Sequence, residues 1–138
     1  MLIQTVDFKV ITDGRGSLIS LEGGSADVPF DIQRVYYIFG VGEGVMRGAH
    51  AHKRLRQVVV CMSGSCRMVL DNGLGVKEDI VLDTPTRGLL ISSMTWREMH
   101  DFSPDCVLVV LADSHYDESD YYRHYDDFLR AARGEPAA

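Results

Sequence analysis

His50 and His52 are the two side chains whose type and spacing most clearly allow chemistry. They lie two residues apart in the segment Arg47-Gly-Ala-His-Ala-His-Lys53, and residues i and i+2 of a β-strand face the same side. Two imidazoles on one face can bind a metal ion or transfer protons near neutral pH. The alternative is that both rings lie on a solvated strand face and have no chemical role.

Basic residues surround this pair in a chain whose net charge is −6. The candidates for binding an anion are Arg34, Arg47, Lys53, Arg97 and, more remotely, Arg15. A local basic pocket of this kind suits a phosphate or diphosphate, because guanidinium groups bind phosphate oxygens in a bidentate manner. Strand alternation directs Arg47 away from His50, unless the glycines at the start of the strand interrupt the alternation.

Tyr36 shares one face of its predicted strand with Arg34. Its phenol could contact a carbonyl or enol oxygen of a ligand. A half-buried structural tyrosine fits the spacing equally well.

The composition excludes several classes of protein. The chain has 138 residues, 46% hydrophobic and 25% charged, which is typical of one globular domain spanning 1–138. Its longest apolar run is far shorter than the ~20 residues of a membrane span, and the N-terminal residues do not resemble a secretory signal. The acidic charge argues against nucleic-acid binding. Three cysteines without a Cys-x-x-Cys motif predict reduced thiols and a cytoplasmic location.

Short apolar segments separated by turns must position these residues. About ten such segments predict an antiparallel β-sandwich or barrel. The predicted strands that carry the residues above, or lie near the N-terminus, are 6–11, 17–22, 32–39, 48–52, 57–62 and 95–100.

The C-terminal segment has a different periodicity. Tyr121, Tyr125, Phe128 and Leu129 recur at helical spacing, which predicts an α-helix over about 119–133, with Ser119 as its N-cap. We expect the helical tyrosines to dock this helix on the barrel rather than to bind a ligand. The predicted fold class is therefore all-β with one C-terminal α-helix.

The spacing Gly-x5-His50-x-His52-x4-Gln57-x6-Gly resembles the first sequence motif of the cupins, which implies a jelly-roll β-barrel. Metal-binding cupins have Glu at the position of Gln57 and a third histidine in the region of Arg97. An amide supplies no negative charge, and a guanidinium cannot ligate a cation. We therefore expect no metal and no cofactor, and interpret the histidines as acid and base groups that Arg97 keeps neutral.

Segments spread over nearly the whole chain resemble the nucleotide-sugar 3,4-ketoisomerases of the WxcM-like cupin family. They are Asp13-Gly-Arg-Gly-Ser-Leu, Arg34-Val-Tyr-Tyr-Ile-Phe, Arg47-Gly-Ala-His-Ala-His-Lys, Gln57-Val-Val-Val-Cys, Gly64-Ser-Cys, Trp96-Arg-Glu-Met-His-Asp-Phe and Tyr116-Asp-Glu-Ser-Asp-Tyr. The resemblance implies a metal-independent homodimer with exchanged N-terminal strands. It also implies transfer of the ketone of dTDP-4-keto-6-deoxyglucose from C4 to C3 through an enediol, giving a precursor of a 3-amino-3,6-dideoxy sugar for a glycan or glycoside.

The resemblance also implies individual roles. His50 would be the base that removes the C3 proton, His52 a second acid/base group, and Tyr36 a contact of the sugar oxygens. Substrate-binding roles are implied for Arg34, Arg47, Lys53, Arg97, Arg15 and Gln57. The family's branches differ at the positions of Arg15 and Arg97, and this chain combines an arginine from each pattern, so the product's C4 configuration, gluco or galacto, stays open.

Three other functions are compatible with the same residues. One is a metal-dependent cupin enzyme, which would contain near-stoichiometric metal. Another is a non-catalytic module that binds a nucleotide sugar. The third is a 3,5-epimerase, which would exchange the hydrogen at C5 of the sugar.

Overall fold

Short antiparallel strands form a little under half of the chain, which a computed structural model describes for residues 1–136. The strands are β1 (Gln4–Asp7), β2 (Ile11–Asp13), β3 (Gly16–Leu18), β4 (Arg34–Phe39), β5 (Arg47–His52), β6 (Gln57–Ser63), β7 (Cys66–Asp71), β8 (Lys77–Leu82), β9 (Arg87–Ile91), β10 (Trp96–His100), β11 (Val107–Ala112) and β12 (Tyr121–Tyr122). A 3₁₀ turn spans Glu118–Asp120, and the helix α1 spans Tyr125–Ala132.

Two five-stranded sheets form the two layers of the fold. Their strand orders are β1-β9-β6-β11-β4 and β12-β5-β10-β7-β8. The hairpin β2–β3 pairs with neither of these sheets. This arrangement confirms the predicted cupin-type jelly roll with a single C-terminal helix.

The interior of the fold has an apolar part and a polar part. Side chains such as Met68, Leu70 and Leu108 are fully buried in the main hydrophobic cluster. Near the start of β6 and the end of β5, the buried side chains are instead polar, among them Gln57 and His52. Burying polar groups is costly unless they have hydrogen-bond partners. A cluster of them inside the fold therefore indicates a functional site at this end.

The C-terminal helix is shorter than predicted. It begins after His124, which makes no side-chain capping bond, and not after Ser119. Residues 118–120 form the 3₁₀ turn, capped by Asp117, and the following β12 pairs with β5. Helix propensity is a weak preference that tertiary bonds override. The helix still packs on the barrel, with the Phe128 ring centroid 5.8 Å from that of Trp96.

The N-terminal strands also differ from the prediction. The segment expected as one strand over 6–11 is divided between β1, which pairs with β9, and β2, which pairs with β3. The strand expected over 17–22 ends at Leu18. In the described part of the chain, no helix is both long enough and apolar enough to cross a bilayer.

Candidate active site

The two histidines of β5 face the same interior space, as their spacing predicts. Their ring centroids are 4.9 Å apart and the rings are nearly perpendicular. Among the described residues, no hydrogen-bond partner exists for the buried Nε2 atom of either His50 or His52. Burial, followed by the charge of Arg97, lowers the pKa of both imidazoles to about 3. Both rings are therefore neutral at physiological pH, with polar atoms free to act on a ligand.

Asp120 contacts one of the two imidazoles. Its Oδ2 lies 3.1 Å from Nδ1 of His52, and the residue is only 5% exposed. The same carboxylate accepts backbone N–H bonds from Arg54 at 2.9 Å and from Leu55 at 3.2 Å. Asp120 is the last residue of the 3₁₀ turn. Its backbone oxygen accepts the N–H of Lys53, which holds the turn against the end of β5.

Arg97, Gln57 and Tyr36 form a row of hydrogen bonds beneath the histidines. Arg97 is fully buried and donates through Nη1 to Oε1 of Gln57 at 2.6 Å and through Nη2 to the carbonyl of Thr95 at 2.9 Å. Nε2 of Gln57 donates to the Tyr36 hydroxyl at 2.8 Å. Burial raises the pKa of Tyr36 above its usual 10, although Arg97 and Gln57 oppose the shift. Tyr36 is thus a neutral phenol that already accepts one hydrogen bond.

A β-bulge brings Arg47 to the same side as His50. The register of β5 against β10 pairs His50 with Arg97 but Arg47 with Met99, so β5 has one residue more between these pairs. Gly48 adopts φ +72° at this point, a conformation that glycine accepts without strain. The extra residue restores Arg47 to the face of His50, where both line one cavity.

Residues 116–123, called the strap here, cover the histidines from outside. The Tyr121 ring lies 5.0 Å from that of His50 and 4.3 Å from that of His52, centroid to centroid. The guanidinium of Arg123 lies over the Tyr121 ring, 4.1 Å from its centroid. Glu118 holds that guanidinium through an ion pair, with Nη2 at 2.7 Å. The strap therefore adds an aromatic wall and a further cation to the site.

Two cavities open on either side of this aromatic wall. The larger, about 530 Å³, reaches His52, and the smaller, about 330 Å³, reaches His50. Both are lined by Arg34, Tyr116 and Tyr121. Each has the size of a site for a small molecule.

Four of the predicted substrate-binding residues line neither cavity: Gln57 and Arg97 are buried in the hydrogen-bonded row, and Lys53 and Arg15 are exposed. Lys53 is exposed, and its Nζ lies 5.2 Å from the centroid of the Tyr122 ring, beside α1. Arg15 lies on the β2–β3 hairpin with 91% of its side chain exposed, paired with Asp13. Apart from Lys53 and Arg15, the predicted residues, His50, His52, Tyr36, Gln57, Arg34, Arg47 and Arg97, are brought together.

The strap residues were missed as site residues by the sequence analysis. Asp120, Tyr121 and Arg123 fall in the segment predicted as a helix, where Tyr121 was assigned to docking. The available signal was the residue preceding them: Asp117 followed by Ser119 is typical of a turn in which an Asx side chain caps the backbone.

Several known proteins are similar to this chain over most of its length. The family model described as "WxcM-like, C-terminal" matches residues 1–133. The chain belongs to the WxcM-like family. A curated member from Aneurinibacillus thermoaerophilus, a TDP-4-oxo-6-deoxy-α-D-glucose 3,4-oxoisomerase, is 51% identical, covering 92% of this chain and 90% of that protein.

Solved structures of 3,4-ketoisomerases resemble this WxcM-like protein over nearly its whole length. One is a mutant of an enzyme from Thermoanaerobacterium thermosaccharolyticum, with asparagine in place of a histidine, in complex with TDP-4-keto-6-deoxyglucose. It is 43% identical with a TM-score of 0.91, covering 96% of this chain and 95% of that one. A second is a TDP-quinovose 3,4-ketoisomerase from Campylobacter jejuni. It is 48% identical with a TM-score of 0.88, covering 93% of this chain and 97% of that one.

Proposed function

We propose that this WxcM-like protein is a sugar 3,4-ketoisomerase that converts dTDP-4-keto-6-deoxyglucose into a dTDP-3-keto-6-deoxyhexose by acid/base catalysis. The observation that carries the proposal is the pair of neutral imidazoles, His50 and His52, whose Nε2 atoms are buried without partners among the described residues. The named activities of the relatives support the same reaction and substrate.

The reaction needs a proton to leave one carbon and another to reach its neighbour. The C3–H bond breaks, the proton goes to an imidazole nitrogen, and the electron pair enters an enediolate. A proton then returns to C4, O4 becomes a hydroxyl, and the C3 hydroxyl loses its proton as the new ketone forms. His50 and His52 are the bases and acids within the site, and general acid/base groups of this kind contribute about 10²- to 10⁴-fold to rate.

Tyr36 lines the smaller cavity and fits an oxygen atom of the enediolate, while the charge of the buried Arg97 acts through Gln57 from behind the cavities, which it does not line. The Nε atom of Arg97 is buried and has no partner among the described residues, and the Tyr36 hydroxyl retains its own proton for donation. Donors fixed in place before reaction stabilise developing negative charge with little reorganisation. A phenol donor backed by a buried cation would allow a ketone to be enolised without a Lewis acid.

The diphosphate is bound by the cations that line the cavities. Arg34 lines both cavities, while Arg47 and Arg123 line the smaller one. An anionic substrate beside the rings opposes the charge of Arg97 and so raises the pKa of both histidines towards neutrality, where a general base is most effective. Substrate binding thus prepares the two bases.

The donor set argues for chemistry without a metal. Gln57 supplies an amide where a cation needs a charged ligand, and its oxygen already accepts the bond from Arg97. The guanidinium that donates this bond is buried, and its positive charge would repel a divalent ion. We propose that neither a metal nor another cofactor takes part.

The decisive experiment is the incubation of EDTA-treated protein with dTDP-4-keto-6-deoxyglucose in deuterium oxide, followed by NMR. We expect a 3-keto product that has incorporated solvent deuterium at C4. Activity that appears only after one metal ion is restored would identify a metal-dependent enzyme. Binding of dTDP with no turnover would identify a binding module, and deuterium at C5 an epimerase.

A homodimer with exchanged N-terminal strands completes the proposal. The hairpin β2–β3 pairs with neither large sheet and exposes Ile11 and Leu18. The edge strand β4 exposes the alternate residues Val35, Tyr37 and Phe39 at 54%, 65% and 67%. Packing the hairpin of one subunit on the other would cover such surfaces and could carry Arg15 to the partner's site. Light scattering of the purified protein tests the dimer.

A cytoplasmic location is proposed on the chemistry of the thiols. Cys61, Cys66 and Cys106 are all free and buried, and free thiols are typical of a reducing compartment. Localisation of the tagged protein by cell fractionation tests this assignment.

A further inference from the structure

Asp120 makes the two histidines unequal. Its carboxylate lies 3.1 Å from Nδ1 of His52. His50 has no contact of this kind among the described residues; its neighbours in the site are His52, Tyr121 and Arg97. The two imidazoles share one face, and burial lowers the pKa of both. They differ because only His52 has a carboxylate within hydrogen-bond distance.

The carboxylate is held in place independently of the imidazole. Oδ1 accepts the N–H of Arg54 and Oδ2 accepts that of Leu55, which both lie just after β5. The backbone oxygen of Asp120 accepts the N–H of Lys53. His52 and its carboxylate are thus anchored to one continuous stretch of backbone, which fixes their relative positions.

This geometry determines which nitrogen of His52 carries hydrogen. A carboxylate accepts hydrogen bonds, so Nδ1 must donate and Nε2 keeps its lone pair. Nε2 is the atom that is buried without a partner among the described residues, on a side chain that lines the larger cavity. When Nε2 takes a proton, the imidazolium lies beside a negative charge that offsets the repulsion from Arg97.

We propose that Asp120 is a positioning residue that holds His52 as the Nδ1–H tautomer and stabilises its protonated form during catalysis. The inference rests on the proposed isomerase function for its kinetic consequence, but the tautomer itself does not depend on any activity. An Asn at this position can donate its amide hydrogen to Nδ1, which would place the imidazole proton on Nε2 and prevent that atom from acting as a base.

The test combines kinetics with ¹⁵N NMR of the histidine rings on the complete protein. The variant is Asp120→Asn, and the matched control is Asp71→Asn. Asp71 is likewise buried and accepts a backbone N–H, from Gly73, and a side-chain bond, from Tyr125, but it lines neither active-site cavity. A His52→Asn variant assigns the His52 signals.

We expect His52 to show the Nδ1–H tautomer in the wild-type protein and to lose it in Asp120→Asn. We also expect kcat of Asp120→Asn to fall by about 10³- to 10⁴-fold, with little change in KM, as when the carboxylate behind a catalytic imidazole is neutralised elsewhere. Asp71→Asn should lower thermal stability and leave both kcat and the tautomer unchanged.

Three results would overturn the inference. They are an Nε2–H tautomer of His52 in the wild-type protein, the same tautomer with and without the Asp120 carboxylate, and a kcat of Asp120→Asn no lower than that of Asp71→Asn. If Asp120→Asn does not fold, the wild-type spectrum alone still decides the tautomer. If the wild-type protein shows no isomerase activity, the proposed function fails while the NMR result still decides the Asp120–His52 pair.

Discussion

Arg97 donates to Oε1 of Gln57 over 2.6 Å, and this contact fixes the direction of the hydrogen bonds that lead to Tyr36. A guanidinium can only donate, so the amide oxygen must face Arg97 and the amide nitrogen must face the phenol. Tyr36 therefore accepts at 2.8 Å, and its own proton is free to point into the site. The donor-only guanidinium of Arg97 thus determines the orientation of the Gln57 amide.

Replacing Gln57 by Glu should separate stability from activity. A carboxylate would neutralise the buried charge of Arg97 and raise the free energy of unfolding by about 1 kcal/mol or more. It would also accept the proton of Tyr36, so kcat should fall by about 100-fold. Urea unfolding and initial rates measure the two effects.

The control for this substitution is Tyr36→Phe, which removes the same phenol proton directly. Because both variants act on one group, the double variant should lose no more activity than Tyr36→Phe alone. Multiplicative losses in the double variant would show that Gln57 acts on the reaction by another route.

His50→Asn should abolish most turnover and preserve ligand binding. The amide cannot accept and return a proton, so kcat should fall by about 10²- to 10⁴-fold. The affinity for dTDP, measured by calorimetry, should change little because the cations of the cavities remain. His100→Asn is the matched control, since His100 pairs with Glu98 and lines neither cavity; equal losses in both variants would contradict the assignment.

Gly48→Ala should weaken substrate binding as well as the fold. A side chain at φ +72° costs roughly 1–2 kcal/mol, and its Cβ would lie 3.0 Å from Cε of Met99. Disturbing the bulge displaces Arg47, so KM should rise. Gly40→Ala, at φ +68° with open space around its Cβ, should lower stability to a similar extent. If KM rises equally in both, the bulge does not position Arg47.

Acid should destabilise the fold through the two histidines. Their pKa is about 3 in the folded protein against 6.5 for an unperturbed histidine. The unfolded chain therefore binds more protons between these values, and stability, complete above pH 6.5, is lost as the pH falls towards 3. Urea unfolding across this range should show a smaller slope for the His50→Asn, His52→Asn double variant than for the wild type. An unchanged slope would contradict the low pKa values.

Local pattern and spacing predicted the barrel and the shared face of the histidines, because both follow from alternation within single strands. They did not predict the strap. Tyr121 has helical spacing to Phe128, yet its backbone pairs with His52, and Asp120 is retained by backbone groups after β5, far away in the sequence. Contacts of this kind depend on the assembled fold.

Arg47 and Lys53 also show where prediction from the sequence failed. Alternation directed Arg47 outwards, and only the bulge at Gly48 reverses this. For Lys53, alternation from His52 would have indicated the exposed outer face that the structure shows; its place in the basic cluster and the resemblance to known enzymes suggested binding instead. Its role, like that of Arg15, stays a prediction that substitution and binding measurements can test.

The β-bulge in β5 changes the intervals at which a short strand presents side chains to the cavities. A regular strand offers every second residue to one side, so six residues supply three positions at fixed intervals. With its extra residue, this strand turns Arg47, His50 and His52 towards the cavities at unequal intervals; under the proposed function these are an anion-binding group and two proton-transfer groups. The wider gap separates the arginine from the rings, and in the proposed function it would let one strand contact both the charged end and the reacting end of a long ligand.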